Sequence, residues 1–373
     1  MTIKKERKKK LVWLIVDEKN LPINIKDYRR LIKGISFPNN FIVKYDEKIL
    51  VFLNSMKNFS KLEFNHNLIW VGVKLYNFCT NDTFEIVNTE VVDVSENISL
   101  GWCMGEYKFT KFKSNFQKKK NSKLTNITKD QILDSKTFSL VRDLVNTPAN
   151  ILGPRELFKE AKKIFSKSAD KIIETEGKEL KEKFPLVYSV GMGAENKRKP
   201  IFSEFIWKSK NKKTIILIGK GVCFDTGGLN LKLGAGMNLM KKDMGGAANC
   251  IGLAKMITEK KLDINLRLLL PIVENSLSGR AMRPSDIIKS RKGIYIEIGD
   301  TDAEGRLILA DALFYASEKK PDLIIDMATL TGASRVALGT DVPSFFTNHE
   351  KIAENLIKFS KLCGDPLWQL PLW

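Results

Sequence analysis

Two carboxylates, Asp302 and Glu304, stand one residue apart, and Arg306 follows at the same spacing in Asp300-Thr301-Asp302-Ala303-Glu304-Gly305-Arg306-Leu307. Divalent cations want several oxygen ligands converging on one point, which acids so close together can offer. An acidic loop ahead of a helix also serves as an N-terminal cap, so this stretch alone leaves both readings open. Two more acids lie upstream. Asp225 belongs to a glycine-rich turn, Gly219-Lys220-Gly221-Val222-Cys223-Phe224-Asp225-Thr226-Gly227-Gly228. The turn lacks the GxxxxGK[ST] order of a phosphate-binding loop, and an acid within it would repel phosphate. A plain tight turn is the other reading. Asp243 follows Lys242 where Met240, Met244 and Ala247 recur at helical spacing. An acid beside an apolar helix face needs a cationic partner.

The elements around these residues explain how they could meet. Residues 11–16, 49–53 and 68–73 read as strands of an N-terminal region, and the basic, polar stretch 112–128 reads as a linker. A helix is expected from about 129 to 145, ended before Pro148, and another from Pro154 to about 168. From about 185 strands and helices alternate: strands at 214–218, 266–273, 294–298 and 323–330, helices at 237–259 and 303–318. Residues 214–218 have no polar break, as in a strand covered on both faces. This alternation predicts an α/β sandwich with a largely parallel or mixed sheet. Asp225 and the pair Asp302 and Glu304 then follow the ends of separate strands, where sites form in open α/β sheets. Four carboxylates crowded there would raise one another's pKa, whereas two divalent cations would neutralise them. Lys220 and Lys232 flank the cluster. A lysine near two cations must stay at a distance or lose its proton and coordinate.

The 373 residues suffice for two domains, with 43% hydrophobic and 28% charged residues. No apolar run approaches the ~20 residues of a membrane span. The lysine-rich start is followed by an apolar run too short for a signal peptide and without a small-residue cleavage site, so a cytoplasmic protein is expected. Five scattered cysteines without CxxC pairing fit a reducing compartment. Neither His66 nor His349 lies near an acidic cluster. The net charge of +19 attracts anions in general. Its lysine clusters lack aromatic interleaving or a nucleic-acid motif, so specific nucleic-acid binding is not the expectation.

From Arg142 onward the chain resembles the leucyl (cytosol) aminopeptidase family. The matching segments are Arg142-Asp143-Leu144-Val145-Asn146-Thr147-Pro148-Ala149-Asn150, Gly219-Lys220-Gly221, Phe224-Asp225-Thr226-Gly227-Gly228, Met240-Lys241-Lys242-Asp243-Met244, Gly246-Ala247-Ala248, Glu274-Asn275, Arg283-Pro284, Thr301 to Leu307, and Ala328-Thr329-Leu330-Thr331-Gly332-Ala333. The resemblance implies an α/β protein: a small N-terminal α/β domain (1–125), a linker and connecting helix (126–150), and an α/β/α catalytic domain with a mixed central sheet (151–373). It also implies a cytoplasmic two-metal exopeptidase that removes N-terminal, leucine-like residues from peptides with a free N-terminus.

By the same resemblance one metal takes Lys220, Asp225, Asp243 and Glu304. The other takes Asp225, Asp302 and Glu304, with the Asp302 carbonyl also available. Zinc or manganese is expected. Lys232 would polarise the scissile carbonyl, Arg306 would hold a bicarbonate acting as general base, and the Leu330 carbonyl would receive the substrate amine. Met244, Thr329, Gly332 and Ala333 are candidates for the apolar pocket, with ordinary core packing as the alternative. Three departures stand out. Asp300 replaces the family's usual Asn, Leu233 and Ser285 replace a usual Pro and Gly, and the family normally continues well beyond Trp373. A catalytic domain truncated at its C-terminus is therefore expected, which puts the family's hexameric assembly in question. The rival reading is a non-catalytic or truncated inactive homologue, binding DNA through its basic surface.

Overall fold

The computed structural model describes residues 9–15, 22–33, 42–53, 59–87, 92–114, 122–210 and 213–373. Val16 of the first expected strand and residues 115–121 of the expected linker lie outside the described residues. By contact density the chain forms two compact units, Met1–Lys136 with Gly332–Trp373, and Thr137–Thr331. Residues 332–373 thus group with the N-terminal sheet, whereas the sequence assigned them to the segment 151–373.

The first unit begins with β1 (Lys10–Ile15), α1 (Ile25–Ile32), β2 (Ile42–Tyr45), β3 (Lys48–Phe52), α2 (Lys61–Phe78), β4 (Thr83–Val87), α3 (Val92–Gly105) and β5 (Lys123–Leu124). Its sheet runs β2-β3-β1-β4-β5, parallel except for the β2–β3 hairpin. The expected strand at 68–73 is instead the middle of α2. Ser60 and Glu63 cap the helix reciprocally. Leu68, Val71 and Leu75 then fall on one buried face, while Trp70 points outward. A Cβ on Gly72 would lie 2.1 Å from the Ile98 carbonyl, so α2 and α3 touch backbone to backbone. The expected linker contains β5, which extends the sheet beside β4.

The chain continues through α4 (Lys129–Asn146), α5 (Pro154–Phe165), β6 (Lys171–Glu176), α6 (Gly177–Lys183), α7 (Pro185–Gly191), β7 (Ile201–Trp207), β8 (Thr214–Gly219), β9 (Gly221–Asp225) and α8 (Gly234–Met237). Next come a 3-10 turn (Met240–Met244), α9 (Gly245–Glu259), β10 (Asn265–Asn275), β11 (Ile287–Lys289), β12 (Tyr295–Glu297), α10 (Glu304–Ser317) and β13 (Leu323–Met327). The central sheet of the second unit runs β13-β8-β10-β7-β6, with β9 also on β10. β13, β8, β9 and β10 are mutually parallel, β7 runs antiparallel to β10, and β6 runs antiparallel to β7. Strand alternation sends Leu217, Leu268 and Leu270 into a core with α5 and α9. Ile216, Ile218 and Leu269 enter a second core with α7 and α10. This is an α/β/α sandwich with a mixed sheet, as the alternating pattern predicts.

The tail of the first unit holds α11 (Ala333–Leu338), β14 (Ser344–Phe345), α12 (Glu350–Cys363) and β15 (Trp368–Gln369). Asn65 Nδ2 donates to the carbonyls of Lys361 and Leu362 at 3.0 and 3.1 Å, which ties the end of α12 to α2. Among the described residues no helix is long and apolar enough to cross a membrane.

Candidate metal centre

Lys220 links β8 to β9, where the chain leaves one strand and immediately enters the next. Its N–H donates to the Met327 carbonyl of β13, and its own carbonyl accepts from Ala247 on α9. The backbone is therefore clamped between sheet and helix, and the side chain is buried. Lys220 Nζ lies 2.8 Å from Asp243 Oδ2, 2.9 Å from Glu304 Oε1 and 2.9 Å from the Thr329 carbonyl. Burial alone would lower its pKa, but the charges of Asp243 and Glu304 outweigh burial and hold it above the ordinary lysine value.

The acids come from three segments. Asp225 ends β9, Asp243 sits on the 3-10 turn, and Glu304 is the first residue of α10, with Asp302 just before it. Asp243 is thus not within a continuous helix over 237–259. The expected helix is interrupted: α8 ends at Met237, and α9 starts only at Gly245, with Gly246 set against β13, where a Cβ would meet the Met327 carbonyl at 2.0 Å. Carboxylate oxygens of Asp225, Asp302 and Glu304 all lie within 4.8 Å of one another. Lys232 Nζ stands 2.8 Å from Asp225 Oδ2 and 2.5 Å from Asp302 Oδ1. These acids raise the Lys232 pKa against the opposing effect of burial. Burial pushes Glu304 up to about 7, with Asp225 and Asp243 adding to it against the pull of Lys220. Burial also raises Asp302, opposed by Lys232 and reinforced by Asp225 and Asp300.

Two oxygens in this cluster test whether a cation fits. Asp243 Oδ2 and Asp302 Oδ1 are inaccessible to solvent and make no hydrogen bond. They lie close to the two ammonium groups, but not along a hydrogen-bonding direction. Buried carboxylate oxygens whose lone pairs are not fully used are costly unless a cation takes them up. A set of converging acidic oxygens with two such atoms suits divalent cations, and the donor set fits oxygen-seeking metals.

The remaining predicted residues are spread out. Arg306 is exposed on the first turn of α10, and its charge helps hold the Asp300 carboxyl below the ordinary range. That lowering comes first from hydrogen bonds to Asp300, which accepts from the Asp302 N–H at 2.8 Å and Asn230 Nδ2 at 2.6 Å. Thr329 Oγ1 donates to Asp243 Oδ1 at 2.8 Å, so its hydroxyl orients an acid. Met244 is buried in the core with Ala247 and Ala248. Leu330 is half-exposed, and its Cδ1 approaches Gly305. Gly332 and Ala333 are exposed and belong to the other compact unit. Asn275 and Thr301 were not singled out as site residues from the sequence. Thr301 is fully buried, and its hydroxyl donates to the Gly227 carbonyl at 2.6 Å and accepts from the Asn230 N–H at 2.8 Å. A neutral polar residue within a run of acids carries no periodic signal that would mark it.

Residues 139–373 match the model of the cytosol aminopeptidase family, catalytic domain. A probable cytosol aminopeptidase of Aquifex aeolicus is 41% identical over 294 residues, covering 75% of this chain and 59% of that protein. One from a Sulfurihydrogenibium species is 39% identical over 297 residues, covering 75% and 58%. The chain thus spans under two thirds of the length of these curated relatives. The crystal structure of cytosol aminopeptidase from Coxiella burnetii superposes with a TM-score of 0.85 at 34% identity, covering 99% of this chain and 81% of that one. The bottromycin maturation enzyme BotP, solved in complex with Mn, gives a TM-score of 0.82 at 25% identity, covering 98% and 82%. Sequence and fold agree: the chain belongs to the cytosol aminopeptidase family.

Proposed function

We propose that this chain is a metal-dependent aminopeptidase that removes N-terminal residues, leucine-like ones by preference, from peptides. The observation that carries this reading is the convergence of Asp225, Asp302 and Glu304 oxygens within 4.8 Å, beside the buried Asp243 Oδ2 and Asp302 Oδ1, whose ion-pair contacts lack hydrogen-bond geometry. Family membership and the Mn complex of BotP support it. Lys220, Asp225, Asp243 and Glu304 would hold one divalent cation, and Asp225, Asp302 and Glu304 a second, with Asp225 and Glu304 shared and zinc or manganese as the metal. Such a pair, when bound, lowers the pKa of water and polarises a carbonyl.

The chain's own groups do the rest. Lys232 carries a positive charge at the rim of the cluster and is the group to stabilise charge on the scissile carbonyl oxygen. The exposed guanidinium of Arg306 offers a planar fork for a bicarbonate acting as general base. The Leu330 carbonyl accepts from the substrate's free amine, which explains exopeptidase action. Thr329 keeps Asp243 in place. The working form is read as a cytoplasmic homo-oligomer, hexameric by family resemblance.

The test is release of p-nitroaniline from leucine p-nitroanilide by the purified chain, with and without added Mn²⁺, beside Glu304→Gln. Metal-stimulated turnover that disappears in the variant supports the reading. A folded, metal-loaded sample without turnover overturns it in favour of a non-catalytic homologue.

A further inference from the structure

We infer that Asn275 is a positioning residue that locks the two acid-bearing segments of the metal centre to each other. The inference rests on the metal-dependent reading above and adds a residue with no assigned role. Asn275 ends β10 and is 2% exposed. Its Nδ2 donates to Asp225 Oδ1 at 2.8 Å and to the Thr301 carbonyl at 3.1 Å. Thr301 immediately precedes Asp302, so one amide holds the end of β9 and the acidic loop before α10. Its own carbonyl accepts from the Thr226 N–H at 3.0 Å and the Thr226 hydroxyl at 2.9 Å.

The strand pairing is built to make this contact. β10 pairs with β9 in the order Ile272 with Gly221, Val273 with Val222, then Asn275 with Asp225. Cys223 and Phe224 on β9 therefore face a single residue, Glu274, on β10. Such a bulge interrupts the alternation of a strand and re-aims the side chains beyond it. It brings Asp225 level with Asn275.

The consequence lies in how Asp225 is used. Its Oδ1 accepts from Asn275 Nδ2 and from the Gly227 N–H at 2.9 Å, while Oδ2 is left to face Lys232. One oxygen is anchored and the other is presented to the cluster. A neutral amide does this without adding a fifth negative charge. Removing a hydrogen-bond partner that orients a ligating group typically costs about 10- to 100-fold in metal affinity.

The test compares Mn²⁺ binding to the full chain, by titration calorimetry and by the EPR spectrum of the bound ion, for the parent, Asn275→Ala and Asp311→Asn. Asp311 lies two turns further along α10 than Glu304, where it accepts from the N–H groups of Leu186 and Arg291, and serves as a control for destabilisation alone. Asn275→Ala should weaken Mn²⁺ binding about 10- to 100-fold and broaden the EPR signal. Asp311→Asn should lower thermal stability but keep the parent affinity. In the leucine p-nitroanilide assay Asn275→Ala should lose kcat at limiting Mn²⁺ with KM within about twofold, since uniform substrate binding is untouched. Parent-like Mn²⁺ affinity in Asn275→Ala overturns the inference while leaving the metal reading intact. A parent chain that binds no Mn²⁺ overturns the metal reading and this inference with it. Should Asn275→Ala fail to fold, the near-isosteric Asn275→Leu is read for the same two outcomes.

Discussion

The ammonium group of Lys220 lies 2.9 Å from Glu304 Oε1, with both side chains almost fully buried. β8 and β9 deliver one partner and the N-terminus of α10 the other, and Asp243 closes the group from the 3-10 turn. A buried ion pair adds little net stability, yet removing one partner leaves an uncompensated charge. Lys220→Met should therefore destabilise the metal-free chain by about 3–5 kcal/mol, read by urea denaturation. A loss under about 1 kcal/mol would mean that water reaches the cluster.

Glu304 predicts a pH dependence for the metal-free chain. Its folded-state pKa is about 7, against an ordinary 4.5. Between those values the unfolded chain has released the proton and the folded chain still holds it, so stability falls as pH rises. The contribution is complete below about 4.5, is lost as pH climbs through about 7, and amounts to about 3 kcal/mol. Denaturation in EDTA across this window should show the decline, and Glu304→Gln should flatten it. An unchanged slope in the variant would assign the effect to other groups.

Gly305→Ala should disable the centre without touching an acid. A Cβ there would lie 2.7 Å from Lys220 Cε and 2.9 Å from its Nζ, and 3.1 Å from Leu330 Cδ1. A lysine tail usually yields, but this one is held by Asp243, Glu304 and the Thr329 carbonyl. Metal affinity should fall at least about tenfold with the fold retained, as for other residues that orient ligands. Circular dichroism with Mn²⁺ titration checks both halves.

Asp311 predicts a pure stability effect. From α10 it accepts from the N–H groups of Leu186, at the start of α7, and Arg291, beyond β11, at 2.8 and 2.9 Å. Asp311→Asn turns an acceptor into a donor facing one of these N–H groups, and should cost about 1–3 kcal/mol. Its measurable signature is a lower denaturation midpoint with Mn²⁺ affinity preserved.

Asp300→Asn tests the departure from the family's usual residue. Its Oδ1 serves the Asp302 N–H and Asn230 Nδ2, and an amide oxygen can serve both. The loop should keep its shape and lose one negative charge. Mn²⁺ affinity should drop by only a few fold, and the difference from the parent should shrink at high ionic strength, because exposed charges are screened. A salt-independent loss would point to a rearranged loop instead.

Much of this centre was legible in the chain itself. Asp225, Asp302 and Glu304 stand out because acids recur at the ends of separate strand-like runs; each stretch alone also reads as a cap or a tight turn, and the family resemblance is what implies a ligand set. The unbroken apolar run at 214–218 likewise announces a strand covered on both faces, because no polar side chain there could reach water. Other features depended on partners far away in sequence. Residues 68–73 look like a strand, and become helix because Ser60 caps α2 and Gly72 lets α3 approach. Asp243 lies on a 3-10 turn that leads into α9, whose Gly246 packs against the backbone of β13. The grouping of 332–373 with the N-terminal sheet hangs on hydrogen bonds such as Asn65 to the end of α12. Asn275 acquires its place only through the bulge that sets it beside Asp225. Residue type and spacing thus determined which side chains could do metal chemistry. Tertiary structure alone decided which of their oxygens are anchored and which face the cluster, because a hydrogen bond's direction depends on segments that only folding brings together.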